Sequence, residues 1–196
     1  MAKAAKFDRQ EVIDLATNLY WKKGFNATSM RNLQDEIDMR PGSIYAAFGN
    51  KDGLFIETLR NYTDKGISLI HQYEQEKDSP LEALKDFVKY QVITTKEDAP
   101  NSMCMLTKTI NELTSDNQEL LDITKAHIEE ISQEFAKLIE QSKELGEINS
   151  EKSALELAKY LQVQIAGLRT FAKIDGVECN LDKMINECFD HYPFNA

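Results

Sequence analysis

Residues 28–55 read TSMRNLQDEIDMRPGSIYAAFGNKDGLF, and the fold turns on how this stretch is parsed. Thr28 is a capping residue ahead of Met30, Leu33 and Ile37, whose spacing places them on one face of a short helix ending near Ile37. Asp38-Met39-Arg40 breaks that pattern. Proline is tolerated at a first helical position, so a second short helix is predicted from Pro41 to Phe48, with Ile44 and Phe48 turned inward. Two helices of about two turns joined by a tight turn form a helix-turn-helix, whose second helix enters the major groove of DNA while the first crosses the backbone. Pro41–Phe48 is then the reading helix. Arg40, Pro41, Gly42 and Ser43 face out from its first turn, and Gly42 permits close approach to DNA.

Helical signals continue on both sides. Asp8 caps a helix with Glu11 three residues on, Phe7 staples onto Val12, and Lys22-Lys23-Gly24 closes it after Val12, Leu15, Ala16 and Leu19. Asn50 caps a long helix to about Glu76. Ser79-Pro80 opens one to about Thr95, and another covers about Ser102 to Leu113. Asp116, Ser150 and Asn180 cap the remaining segments, which end near Gly146, near Ile174 and Gly176, and near His191. Eight Gly and four Pro among 196 residues leave little punctuation, and 42% apolar residues supply a core. The expectation is an all-α protein of about nine helices, with a three-helix DNA-binding domain over residues 1–50 and a helical effector-binding and dimerisation domain over 51–196.

Charge refines the division. The net charge of -10 is wrong for a uniformly nucleic-acid-binding surface, but residues 1–60 hold nine Lys and Arg against eight Asp and Glu, while the rest hold 14 against 25. Only the head is suited to approach phosphate. Lys3, Lys6 and Arg9 form a short basic tail that either lies on DNA or is merely solvated. No apolar run reaches the roughly 18 residues of a membrane span and the first residues lack a signal segment, so a cytoplasmic protein is expected. Cys104, Cys179 and Cys188 fit reduced thiols better than a disulfide framework, and Cys188 with His191 makes too few ligands for zinc. Neither metal nor cofactor is expected.

Arg9, Leu15-Ala16, Gly24-Phe25, Ala27-Thr28 and the run Gly42-Ser43-Ile44-Tyr45-Ala46-Ala47-Phe48-Gly49-Asn50-Lys51-Asp52-Gly53-Leu54-Phe55 resemble the N-terminal domain of TetR-type bacterial transcriptional regulators. That resemblance implies that Thr28, Tyr45 and Lys51 contact phosphates and that Arg40, Pro41, Gly42 and Ser43 lie nearest base edges. Taken singly, Tyr45 would be a packed aromatic and Lys51 a solvated charge; the joint pattern favours the DNA roles. Asp38, Arg40, Ala46 and Ala47 depart from the usual residues at their positions, leaving Arg40 to read guanine bidentately. The resemblance also implies a homodimer paired through the last two helices, where Leu161, Ile165, Leu168, Met184 and Ile185 are the candidate interface residues; an internal core stripe is the alternative.

Ser102-Met103-Cys104-Met105-Leu106 and Gly167-Leu168-Arg169 with Ala172-Lys173 are similar to segments of one branch of that family, which makes Cys104 a candidate sensor of electrophiles or a small core residue. Lys108, one turn on, is placed to lower its pKa. His71, Tyr90, Thr107, His127, Gln162 and Gln164 are polar positions amid apolar helices that either line an effector cavity or are satisfied locally. The function expected is an operator-binding regulator, a repressor of palindromic double-stranded DNA released by a small-molecule or electrophile signal. Two alternatives are an interaction module without DNA binding and a thiol enzyme using Cys104 with His127.

Overall fold

The computed structural model describes residues 7–95, 99–174 and 180–195. Among them are nine α-helices and no strand: α1 Arg9–Lys23, α2 Met30–Ile37, α3 Pro41–Phe48, α4 Lys51–Glu76, α5 Pro80–Lys89, α6 Met105–Glu112, α7 Gln118–Glu144, α8 Ala154–Ala172 and α9 Leu181–Asp190. A π-helical turn, Tyr90–Thr94, continues α5, and a 3-10 turn, Ser115–Asn117, leads into α7.

The caps explain most of these boundaries. Asp8 accepts from the N–H groups of Gln10 and Glu11, Asn50 from Gly53, Ser79 from Glu82 and Asn180 from Lys183. Three starts differ from expectation. Ser29, not Thr28, caps α2, in a reciprocal pair with Asn32. Cys104 precedes the first residue of α6, which begins at Met105 rather than Ser102. Ser153, not Ser150, caps α8 in a capping box with Glu156, because the Ser150 hydroxyl donates instead to the Pro193 carbonyl at 2.6 Å. Lys3, Lys6, Gly176 and Cys179 lie outside the described residues.

The chain divides into two compact units, residues 1–64 with 104–127 and residues 65–103 with 128–196. The boundary expected at residue 50 therefore moves into α4, and the first unit also takes α6 and the start of α7. Its core gathers Tyr20, Phe25 and Phe55, with Phe55 ring centroids 4.8 Å from each of the other two. Side chains of α6 close this unit on α1. Lys108 donates to the carbonyls of Trp21 and Lys22 at 3.0 and 2.9 Å, where a cation at a helix C-terminus is favoured. The Glu112 carboxylate accepts from the Phe25 and Asn26 N–H groups at 3.0 and 2.6 Å.

The second unit packs Leu84, Phe87, Phe135, Leu157, Ile185 and Phe189 into one core. Leu161, Leu168 and Ile185, expected at a dimer interface, belong to that core, and Ile165 packs partly buried against it. Burying each such side chain contributes about 1.5–3 kcal/mol to the subunit's own fold. Of the five, only Met184 is exposed. The apolar side chains that α8 and its end do present to solvent are Val163, Phe171 and Ile174.

Candidate nucleic-acid interface

The α2–α3 turn is built on one unusual backbone residue. Asp38 ends α2 in the left-handed region, at φ 48 and ψ 42, a conformation that Asp tolerates better than most side chains. Met39 is buried beneath the turn and Arg40 returns to extended geometry at the start of α3, exposed and with no side-chain bond to the helix. Pro41 then occupies the first position, where its missing N–H costs nothing.

Ile44 and Phe48 are buried, whereas Arg40, Pro41, Gly42 and Tyr45 are exposed, Ser43 half so. A Cβ placed on Gly42 would meet nothing within 4 Å, so that surface is open. Tyr45 is 48% exposed. Neither α2 nor α3 has an acidic residue in its first turn, although α1, α4 and α5 each have one. Their positive ends are thus left uncompensated by the chain itself, which suits an incoming phosphate.

Two expected phosphate contacts are placed differently. Thr28 is fully buried and its hydroxyl donates to the Gly24 carbonyl at 2.6 Å, so it presents no donor to DNA. The exposed hydroxyl at this helix start belongs to Ser29, and it too is committed, donating to Asn32 Oδ1 at 3.0 Å. Lys51 is half-buried: its ammonium donates to the Phe25 carbonyl at 2.7 Å and lies 4.1 Å from the Phe25 ring centroid. Burial pushes its pKa below the ordinary lysine value, against the pull of Asp52 and Glu112. Two of its three N–H donors remain beyond that bond.

Sequence reading missed what holds the reading helix in place. Arg9 donates to the Ala47 carbonyl at 3.1 Å, stacks 4.4 Å over the Phe48 ring and pairs with Glu57. It clamps the end of α3 rather than extending a basic arm. No local pattern announces this, because its three partners lie 38 or more residues away in the chain.

The expected effector residues fall in both units. Cys104, Thr107 and His127 belong to the first unit, His71 and Tyr90 to the second. His71 is exposed and bonded to Glu134 at 3.1 Å. Tyr90 is half-buried, its ring 6.3 Å from that of Tyr73. His127 is buried and Thr107 half-buried. Cys104 is a free, half-buried thiol, but the Lys108 ammonium expected to activate it is committed to the end of α1. Gln162 is satisfied by the Ile128 carbonyl and the Ser132 hydroxyl, and Gln164 faces the Cys188 thiol at 3.9 Å.

The second unit does contain a small hollow, of about 10 Å³, lined in part by Gln91, Thr95, Ser102, Arg169 and Lys173. Arg169 is only 5% exposed. Its Nε donates to the Ser102 carbonyl at 2.7 Å and its Nη1 to Gln91 Oε1 at 2.9 Å. Its Nη2 is buried without a hydrogen-bond partner among the described residues, which for a charged donor costs upwards of about 1–3 kcal/mol.

Against known proteins, the sequence profile of bacterial regulatory proteins of the tetR family matches residues 12–58, spanning α1 to the first turns of α4. Residues 12–58 form a TetR-family domain. The chain is 28% identical over 170 residues to the HTH-type transcriptional repressor ComR of Escherichia coli K12, covering 85% of the chain and 80% of that protein. Its fold matches a cysteine mutant of the TetR family regulator CifR, solved with 26-base-pair operator DNA, at TM-score 0.84 and 23% identity over 97% of this chain and 100% of that one. It also matches E. coli NemR in its reduced form, at TM-score 0.81 and 14% identity over 93% and 96% of the two chains. The α2–α3 pair lies inside the matched stretch, and no described helix is long and apolar enough to cross a membrane.

Proposed function

We propose that this TetR-family chain is a cytoplasmic, homodimeric repressor that reads a palindromic DNA operator and leaves it when a small molecule or electrophile acts on the protein. The observation that carries the reading is the exposed, acid-free first turn of α3, with Arg40, Pro41, Gly42 and Ser43 presented and Ile44 and Phe48 anchored beneath them. Arg40 suits bidentate contact to guanine. Tyr45 and the spare donors of Lys51 suit phosphates. Pairing of two copies through the exposed apolar side chains Val163, Phe171, Ile174 and Met184 supplies the two-fold symmetry that a palindrome mirrors.

A signal reaches the first unit through α4 and α7, each an unbroken helix with residues in both units. Release is then a population shift: the effector binds better to the conformation whose reading heads are wrongly spaced. For an electrophile, Cys104 is the candidate target, since it is a free half-buried thiol, whereas burial and then the neighbouring Glu187 push the Cys188 thiol up and keep it protonated. The reading assigns no catalytic step to the chain.

The test is fluorescence anisotropy on operator and scrambled duplexes at several salt concentrations. Operator binding should weaken steeply with salt; Lys51→Ala should lower affinity for all sequences alike, and Arg40→Ala should cost about 1–3 kcal/mol and relax preference at particular bases. Equal affinity for operator and scrambled DNA overturns the reading. Loss of electrophile response in Cys104→Ser tests the sensor role separately.

A further inference from the structure

We infer that the hollow around Arg169 is an anchoring subsite for the carboxylate of a small effector. The inference rests on reading the chain as an effector-responsive regulator, and it names the chemistry of the ligand. Residues 61–196 carry 25 acidic against 14 basic side chains. Among the described residues lining the hollow there are two cations, Arg169 and Lys173, and no carboxylate. A cation buried to 5% exposure normally lies against an anion, yet both acceptors that Arg169 has found, the Ser102 carbonyl and the Gln91 amide oxygen, are neutral. The remaining guanidinium nitrogen, Nη2, is buried at the wall of this hollow with no hydrogen-bond partner among the described residues. The positive charge and the open donor call for the same thing, an anionic oxygen.

Size narrows the class. About 10 Å³ admits one water-sized atom, so a single oxygen of the anion enters, and a flat carboxylate brings less bulk to the mouth than a tetrahedral phosphate. The rest of the ligand extends toward the rim, where Lys173 is exposed and adds a second cation. The π-helical turn Tyr90–Thr94 carries Gln91 into this wall, and such turns recur at functional sites. Arginine suits the role because it remains charged when buried and offers donors in a fixed fork.

The experiment uses the full chain and four probes, sodium acetate, sodium benzoate, benzamide and inorganic phosphate, read by thermal unfolding and by the NMR shift of the Arg169 side-chain N–H groups. Acetate and benzoate should raise the unfolding temperature saturably and shift the Arg169 signals, while benzamide and phosphate should do neither. Arg169→Gln should weaken benzoate at least tenfold. Because that variant risks misfolding, Gln91→Glu is the second: it places a carboxylate beside the guanidinium and should raise the unfolding temperature while abolishing the benzoate response. A purely structural arginine predicts the stabilisation without any benzoate response in the unmodified protein. No saturable carboxylate effect, an equal effect in Gln91→Glu, or binding of phosphate in preference overturns the subsite. Operator binding without probes is measured on the same samples, so its absence counts against the regulator reading and not against the subsite.

Discussion

Gly53 shows how much one atom decides. It sits in the first turn of α4, where alanine would ordinarily stabilise a helix by up to about 1 kcal/mol. A Cβ there would stand 2.1 Å from the Phe48 carbonyl oxygen, so the end of α3 would have to move. Gly53→Ala should therefore destabilise the protein, by about 1–3 kcal/mol, and urea denaturation at equilibrium checks the sign. Lys51 supplies a second prediction. Burial lowers its pKa below 10.5, so its charged form costs folding free energy near neutral pH, and that cost disappears as pH rises through the lowered value. The positive charge offered to phosphate disappears with it. Operator affinity should accordingly fall at a lower alkaline pH in the unmodified protein than in Lys51→Arg, whose guanidinium stays charged, when both are followed by anisotropy against pH. Residues 28 and 29 mark the limit of reading at this scale. Thr and Ser both serve as caps, and the fold turns the Thr28 hydroxyl inward to Gly24 and leaves Ser29 for the helix.

Elements whose ends are fixed by their own neighbours were legible from sequence; those fixed by distant partners were not. The caps at Asp8, Asn50, Ser79 and Asn180 act within three residues. In α8 both Ser150 and Ser153 were available, and the Pro193 carbonyl, 43 residues away, engaged the former. The chosen box has a measurable consequence. Hydrogen bonds from the Ser153 hydroxyl and then its backbone N–H hold the Glu156 pKa below 4.5. A depressed carboxylate contributes stability above its unfolded value and loses it as pH falls through the folded one. The stability difference between the unmodified protein and Glu156→Gln should therefore be larger at pH about 7 than at pH about 3, as read by denaturant titration at each. The π-helical turn after α5 has residues that also suit an ordinary helix; the hollow beside Arg169 is built from partners 67 and 78 residues away.

At the scale of the molecule, the exposed apolar side chains Val163, Phe171, Ile174 and Met184 need a partner. Val163→Asp with Phe171→Asp should give a folded monomer that no longer binds operator, whereas Leu168→Asp should unfold the second unit, since Leu168 lies in its core. Light scattering with circular dichroism separates the outcomes, and a monomeric unmodified protein at micromolar concentration would rule the pairing out. Helical period, caps and the Gly42–Phe55 run determined the fold class, the short α2–α3 pair and the resemblance to TetR-type regulators, because these depend on residues close in sequence. Tertiary structure alone decided that Leu161, Leu168 and Ile185 face inward, that Arg9 clamps α3, that α6 closes the first unit through Lys108 and Glu112, and that Arg169 is buried with a donor to spare. A helix's sequence gives an apolar stripe but not what covers it. A charged side chain gives donors or acceptors, and only the folded chain brings their partners from 38 to 87 residues away.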